Sequence, residues 1–165
     1  MRRFFWLVGV VLVLALEGTG EGAWAGEDLI EAAGSRDLAT VRSLLNSGAN
    51  VNRADKFGRT PLIAAAYNGH ADAAKILLAH GANVNRADKF GLTPLYWATL
   101  FGYADVVKIL LAHEANVNQP DKSGKTPLSL AASQGHADVV KILLAHGAKP
   151  TNNVPSQKGQ LGLVR

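Results

Sequence analysis

Two short amphipathic segments follow one another in the middle of the chain, and the first begins with a threonine and a proline. The hydroxyl of Thr60 can cap a helix, and Pro61 suits the first helical position, where its missing N–H costs nothing. Gly69 is free to adopt a positive φ and ends the segment. The predicted helix buries apolar residues at helical spacing, Leu62, Ala65 and Ala66.

The second segment begins at residues 71–72, where Asp72 places an acid near the positive end of the helix dipole. It ends before Gly81, which again permits a positive φ. The extended stretch from Ala82 to Gly91 predicts a turn that links this helix pair to the next one. The apolar residues that the second helix is expected to bury are Ala74, Ile76, Leu77 and Leu78.

This pattern of two helices and a turn returns after 33 residues. Residues 48–62 read GANVNRADKFGRTPL and residues 81–95 read GANVNRADKFGLTPL, with one difference in fifteen positions. The run KILLAHGANVN at 75–85 returns as KILLAHEANVN at 108–118, and KILLAHGA returns at 141–148. Such short helix pairs expose too much apolar surface alone, so stacking of successive pairs has to supply the core.

The 33-residue period, with its T-P-L and G-H motifs, resembles ankyrin repeats. The resemblance implies an all-α solenoid of four stacked helix–turn–helix repeats with β-turn or hairpin connections, over residues 26–150. Three repeats are full, at 55–87, 88–120 and 121–150. A degenerate capping repeat at 27–54 precedes them and lacks T-P-L, as expected of a terminal repeat with one face in water.

Residues 1–25 have the order of a secretory signal peptide. Two arginines precede an uncharged apolar run over residues 4–16, and Ala23 and Ala25 occupy the positions that signal peptidase reads. As a helix the run would span roughly 20 Å, short of the ~30 Å hydrocarbon core, so an uncleaved membrane anchor is the less favoured alternative. We expect cleavage after Ala25 and export of the protein.

Composition narrows the classes of function. The chain has no cysteine, which excludes disulfides, thiolate metal sites and a cysteine nucleophile. A net charge of +4 is mildly basic and far below that of a nucleic-acid-binding tail, so no nucleic-acid partner is expected. The absence of cysteines and of N-x-S/T sequons favours a bacterial source. The expected location is then the periplasm, and otherwise the protein would be secreted.

Five histidines raise the question of a metal site. Three of them, His80, His113 and His146, recur at the end of the second helix of successive repeats. Equivalent atoms in stacked helices lie about 8–10 Å apart, whereas two nitrogens on one zinc ion lie within about 4 Å of each other. The resemblance assigns His70 and His136 to the structural G-H position. We expect no metal site and no cofactor.

Carboxylates also recur, at Asp55, Asp88 and Asp121. These acids are expected in identical exposed turns, because the family uses an aspartate at this position to hold the turn. No glycine-flanked nucleophile accompanies any Ser–His–Asp set, and no motif pairs a nucleophile with a base. We therefore expect the protein not to be an enzyme.

In ankyrin repeats the turn tips and one side of the first helix form a concave face that binds partners. The first two full repeats place aromatic and basic residues side by side at these positions, which predicts a protein-binding scaffold that prefers an acidic partner. A simpler interpretation is that Phe57 and Phe90 only pack on neighbouring turns. The predicted partner-binding residues are Lys56, Phe57, Arg59, Tyr67, Asn68, Lys89, Phe90, Leu92, Leu100, Phe101, Lys122 and Lys125, with Ser123, Ser133 and Gln134 at the remaining positions of the third full repeat.

A second hypothesis is binding to an anionic envelope polymer or a lipid headgroup. It rests on a row of basic residues, Arg53, Lys56, Arg59, Arg86, Lys89, Lys122 and Lys125. Tyr96 and Trp97 stand where the family usually has histidine and leucine, and we expect them in the core or at its rim.

Glu114 departs from the repeat pattern. Glycine follows the second helix at Gly48, Gly81 and Gly147, where the family requires a positive φ to leave the helix. A residue with a Cβ in that conformation costs roughly 1 kcal/mol, so we expect backbone strain at Glu114.

The last repeat keeps apolar residues of the internal type, Val139, Val140, Ile142, Leu143 and Leu144. We hypothesise that residues 151–165 fold back over its outer face. Self-association through this face and a disordered tail are the alternatives, and the oligomeric state is left open.

Overall fold

The computed structural model of the protein describes residues 29–150, and the predicted signal peptide and C-terminal tail lie outside this range. Within it the chain is helical and turned, with no strand assigned, and no helix is long and apolar enough to cross a membrane. The helices are α1 over residues 29–35, α2 Leu38–Asn46, α3 Pro61–Tyr67, α4 Ala71–Ala79, α5 Pro94–Leu100, α6 Ala104–Ala112, α7 Pro127–Gln134 and α8 Ala137–Ala145.

The helices form two layers. The first helices of the full repeats, α3, α5 and α7, pack on one another in order, and the second helices α2, α4, α6 and α8 do the same. Within each full repeat the first helix also packs on the second. The all-α solenoid predicted from the 33-residue period is therefore confirmed, with turns as the connections between helix pairs.

Each first helix of a full repeat begins as the Thr-Pro-Leu motif predicts. The hydroxyls of Thr60, Thr93 and Thr126 accept a hydrogen bond from the backbone N–H three residues later, and proline follows at the first helical position. The cap satisfies an N–H that has no partner within the helix. Because these signals are local, they fix the start of each helix independently of the stacking.

Gly69 and Gly102 are required by packing as well as by backbone geometry. Both have positive φ, at 73° and 74°. A Cβ on Gly69 would lie 2.8 Å from the ring of Tyr103, and a Cβ on Gly102 would lie 2.6 Å from the ring of His136. Successive repeats therefore approach each other closely where α3 and α5 end.

The core is a continuous column between the two layers. A fully buried leucine from each full repeat forms its axis, namely Leu77, Leu110 and Leu143. Small residues at 0% exposure, Ala65, Ala66 and Ala98, allow the first helices to pack closely. At the end of the stack Leu144 is 48% exposed, whereas the equivalent Leu78 and Leu111 are 8% exposed. The last repeat therefore presents an internal-type apolar residue on its outer face.

Asparagine side chains join successive repeats through hydrogen bonds that the sequence analysis did not predict. The Asn52 amide donates to the Gly81 carbonyl at 3.0 Å, and its oxygen accepts from the Asn83 N–H at 2.7 Å. Asn85 and Asn118 make the same pair of bonds one and two repeats later. These bonds fix the spacing of the turns that follow the second helices.

Glu114 adopts the backbone conformation predicted for it, with φ at 65°. Its carbonyl accepts the Asn85 amide at 3.2 Å, as the carbonyls of Gly81 and Gly147 accept theirs, so the turn keeps the family geometry. Arg36 also has a φ of 65°, which the sequence analysis missed. Among the described non-glycine residues these two carry the left-handed strain.

We predict that Glu114→Gly raises the free energy of unfolding by about 1 kcal/mol, because glycine adopts this φ without a Cβ clash. The greater freedom of glycine in the unfolded chain offsets part of the gain. The measurement is urea unfolding followed by circular dichroism. Gly81→Glu is the reciprocal control, since Gly81 has a φ of 83° and open space around its Cβ position, and it should lose stability. If the Glu114→Gly protein is no more stable than its parent, the backbone conformation of Glu114 is not strained.

Candidate partner-binding face

An aspartate holds the turn at the start of each full repeat. Oδ1 of Asp55 accepts the backbone N–H groups of Phe57 at 2.8 Å and Arg59 at 2.9 Å. Asp88 and Asp121 make the same two bonds in their own turns. The resulting loops project the side chains at the second, third and fifth positions of the repeat away from the stack.

The turns are exposed at their tips, as expected, but their acids are buried or half-buried. Asp88 is buried at 8% exposure, and the side chain of Asp55 is 13% exposed. The carboxylates are covered because each one turns back over its own loop to reach two backbone N–H groups. They therefore serve the turn, and their charge is not presented to a ligand.

Hydrogen bonds lower the pKa of Asp55 and of Asp121 by more than burial raises it. Desolvation acts to raise the pKa of Asp55, but hydrogen bonds from Arg59 and Phe57 hold that pKa below its ordinary value of 3.8. At Asp121 desolvation is likewise outweighed by hydrogen bonds from Ser123, Lys125 and Tyr96, and the pKa is lowered. Burial and the nearby Asp121 carboxylate raise the pKa of Tyr96. Both aspartates are therefore ionised at neutral pH.

The twelve residues predicted to bind a partner form two rows, which we call the binding face. One row follows the turn tips, and the other lies at the ends of α3 and α5. Ten of the twelve are exposed, while Leu92 and Leu100 are half-buried. Four large apolar side chains on this face are 41–61% exposed, namely Phe57, Tyr67, Phe90 and Phe101.

The structure brings half of these residues together around one groove of about 400 Å³, between the Asp55 and Asp88 turns. The predicted residues that line it are Phe57, Arg59, Tyr67, Asn68, Phe90 and Leu92. A second groove, of about 570 Å³, lies between α1 and the Asp55 turn and adds Lys56. The other predicted residues, Lys89, Leu100, Phe101, Lys122 and Lys125, lie outside the linings of these two grooves.

Four residues that line the 400 Å³ groove were not predicted as binding residues, and the largest of them is Trp97; the others are Ile63, Ala64 and Asp88. The Trp97 ring centroid lies 5.1 Å from that of Tyr67 in an edge-to-face contact. Its indole Nε1–H donates to Oδ2 of Asp88 at 3.3 Å. Tyr67 also contacts Phe101 edge-to-face at 5.0 Å. These contacts join the ends of α3 and α5 into one aromatic cluster beside the groove.

Arg59 is the most constrained cation of the binding face. Its Nε–H donates to Oδ2 of Asp55 at 2.7 Å, and its guanidinium lies 5.4 Å from the centroid of the Phe57 ring. Lys56 approaches the same ring at 5.1 Å. Within residues 29–150, Lys89 and Lys125 form no ion pair, and the ammonium of Lys122 donates to the Lys89 carbonyl. The face thus carries cations that no described carboxylate neutralises, with the exception of Arg59.

The histidines take structural positions. Nε2 of His70 contacts the Gly34 carbonyl at 3.0 Å, and Nε2 of His136 contacts the Leu100 carbonyl at 3.0 Å. Nδ1 of His80 and of His146 contacts a carbonyl four residues earlier. Over the described part of the chain, histidine and acidic side chains do not gather in groups of three that could hold a metal ion.

A protein-family model described as ankyrin repeats (3 copies) matches residues 29–121 and 86–154. No curated protein matches the chain. The two matched ranges together include all of the helices and turns described above.

We predict that acid destabilises the fold through Asp55 and Asp121. Because their pKa values are lowered in the folded state, their contribution is complete above the unfolded value of 3.8 and is lost as pH falls through the folded values. The melting temperature should therefore fall below about pH 4, and less steeply in the double variant Asp55→Asn/Asp121→Asn. Asp138→Asn, at an exposed helical acid, is the control. If the melting temperature of the double variant falls with pH as steeply as that of the parent, the ionised carboxylates of Asp55 and Asp121 do not provide the stability that is lost in acid.

Proposed function

The chain belongs to the ankyrin-repeat family, and from that premise we propose that it is a non-catalytic scaffold that binds an acidic protein through the binding face. Ankyrin repeats are generally protein–protein interaction modules, and their fold is typically not catalytic. Beyond this general role, we propose which surface of this chain binds the partner and that the partner is acidic.

The observation that carries the proposal is the exposure of four large apolar side chains on one face. Phe57, Tyr67, Phe90 and Phe101 lie on adjacent turns and helix ends, and each is at least 41% exposed. Aromatic residues clustered at a surface are typical of the centres of protein interfaces, because they bury large areas with little loss of side-chain freedom. Isolated exposed apolar residues carry no such meaning, but Tyr67 contacts both Phe101 and Trp97, so the two helix ends share one aromatic cluster.

Charge supports an acidic partner. The turn tips present Lys56, Lys89, Lys122 and Lys125 to solvent. The aspartates of the same turns accept backbone N–H groups and are covered by their own loops, as described above. The outward charge of the tips is therefore positive, which steers association with an acidic surface and raises the on-rate.

The row of basic residues favours a second candidate, an anionic envelope polymer or lipid headgroup. Three members of the row are already engaged within the protein. An Nη of Arg86 donates to the Asn52 carbonyl at 2.9 Å, Arg59 pairs with Asp55, and the ammonium of Lys122 donates to the Lys89 carbonyl. The two candidates differ in their response to salt. Binding through many phosphate or sulfate groups weakens steeply as salt rises, whereas an aromatic-centred interface loses mainly on-rate.

We also propose that the protein acts outside the cytoplasm. The support is the order of residues 1–25, with two arginines, an apolar run and Ala23 and Ala25 at the processing site. If the source is a bacterium, we propose that the binding face acts in the periplasm.

Signal-peptidase cleavage should leave Gly26 as the first residue of the exported protein. Mass spectrometry of the exported product measures this directly. Recovery of the protein with Met1–Ala25 intact would reject cleavage and favour the membrane-anchor alternative.

For the binding face, we predict that Phe90→Ala/Phe101→Ala abolishes capture of the partner from envelope proteins while the protein stays folded, because Phe90 is 61% exposed and Phe101, which packs on Tyr67 and Trp97 at the surface, is 41% exposed. Leu144→Ala is the matched control, since Leu144 is 48% exposed on α8, away from the binding face. Capture by the double variant at the level of the parent would mean that the partner uses another surface. Capture that persists in the double variant but disappears at high salt would favour the anionic-polymer candidate.

A further inference from the structure

The 400 Å³ groove between the Asp55 and Asp88 turns is lined by two residues of α3, Ile63 and Ala64, and by residues of the next repeat. The residues 33 positions after Ile63 and Ala64 are Tyr96 and Trp97. The Trp97 ring packs back on Tyr67 of the preceding repeat and forms part of the wall of this groove. The first two full repeats therefore build the groove together.

The remaining groove walls are mainly apolar and aromatic. Phe57 and Phe90 project from the two turn tips, and Tyr67 and Trp97 stand at the helix side. A volume of about 400 Å³ lies near the lower end of the range for small-molecule pockets. Its size and lining suit one large apolar side chain of a bound polypeptide.

Arg59 supplies a fixed anion receptor at the edge of the same groove. Its Nε–H is bound by Asp55 and its guanidinium lies over Phe57, so its orientation is set before a ligand arrives. Among the described residues, its terminal Nη atoms donate to no acceptor. A guanidinium held in this way is suited to a carboxylate, which accepts two parallel N–H bonds.

The one acid in the groove lining does not compete with such a ligand. Both oxygens of Asp88 are occupied, Oδ1 by two backbone N–H groups and Oδ2 by the Trp97 indole. The Asn68 amide donates one N–H to the Ala64 carbonyl at 3.0 Å. Arg59 is the cation of the groove lining, and its fork of terminal N–H groups faces a ligand without an acceptor among the described residues.

From this arrangement we propose that the groove is an anchor site for an acidic polypeptide segment. One aromatic or large aliphatic side chain of the segment enters between Phe57 and Phe90, and a neighbouring aspartate or glutamate binds Arg59. This inference rests on the proposed function and deepens it, because it places the partner's anchor in one interval of the stack.

Fluorescence polarisation of labelled peptides tests the anchor site. The probe is Gly-Ser-Glu-Asp-Phe-Glu-Asp-Ser-Gly, compared with the same peptide carrying serine in place of phenylalanine and with one carrying lysines in place of the acids. The phenylalanine peptide with acidic flanks should bind at least about tenfold more tightly than either comparison peptide. Loss of that preference, or no binding of the probe at millimolar protein, overturns the anchor site.

Two matched pairs of variants locate the binding. Ala64→Trp copies the ring found at Trp97 into the groove and should weaken the probe at least about tenfold, whereas Ala145→Trp adds the same ring at an exposed alanine of α8, outside the binding face. Arg59→Gln should weaken the probe about tenfold, and Lys141→Gln, at an exposed cation of α8 outside the binding face, less than about twofold.

The outcomes separate the anchor site from the wider proposal. Equal losses in Arg59→Gln and Lys141→Gln would indicate diffuse attraction to negative charge, as for a polymer or lipid surface, and overturn the anchor site. Unchanged binding in Ala64→Trp overturns it as well. Sensitivity of partner capture to Phe90→Ala/Phe101→Ala would in either case leave the scaffold function standing, whereas insensitivity there would reject the binding face.

Discussion

The binding face depends on one interaction, which each full repeat makes once. A buried or half-buried aspartate accepts hydrogen bonds from two backbone N–H groups of its own turn. In the Asp88 turn, Oδ1 holds the N–H groups of Phe90 and Leu92, and Oδ2 holds the Trp97 indole. A single side chain thus connects the turn tip to the first helix of its own repeat. Because these groups are satisfied internally, the tip can expose Phe90 without leaving its backbone to find other partners.

Stacking converts these separate turns into one surface. The Lys89 N–H donates to the Phe57 carbonyl at 3.0 Å, which joins the first two tips directly. Asn52, Asn85 and Asn118 repeat an equivalent link on the other side of the stack. A face fixed by hydrogen bonds at both edges and by a leucine column between them loses little conformational freedom when a partner binds. This rigidity favours a scaffold over a site that must close around a ligand.

Most of the fold could be predicted because helix starts and turns are encoded in short stretches of sequence. The features that could not be predicted depend on contacts between side chains. Thr60 and Pro61 define a helix start within four residues, and comparison of repeats exposed the strain at Glu114. The same comparison could have found Arg36, which stands 33 residues before Gly69. The burial of Asp88 and the place of Trp97 in the groove depend on side-chain packing, which a repeat pattern does not encode. The residues of the binding face follow from the family resemblance, but their division between two grooves does not.

The most direct test of the account is hydrogen-exchange mass spectrometry of the protein with and without its captured partner. If the binding face is the contact surface, protection should appear in residues 56–68 and 89–101, which contain the turn tips and α3 and α5. The second helices α4 and α6 should exchange as they do in the free protein. Protection confined to α4 and α6, with the turn tips unchanged, would contradict the assignment of the binding face.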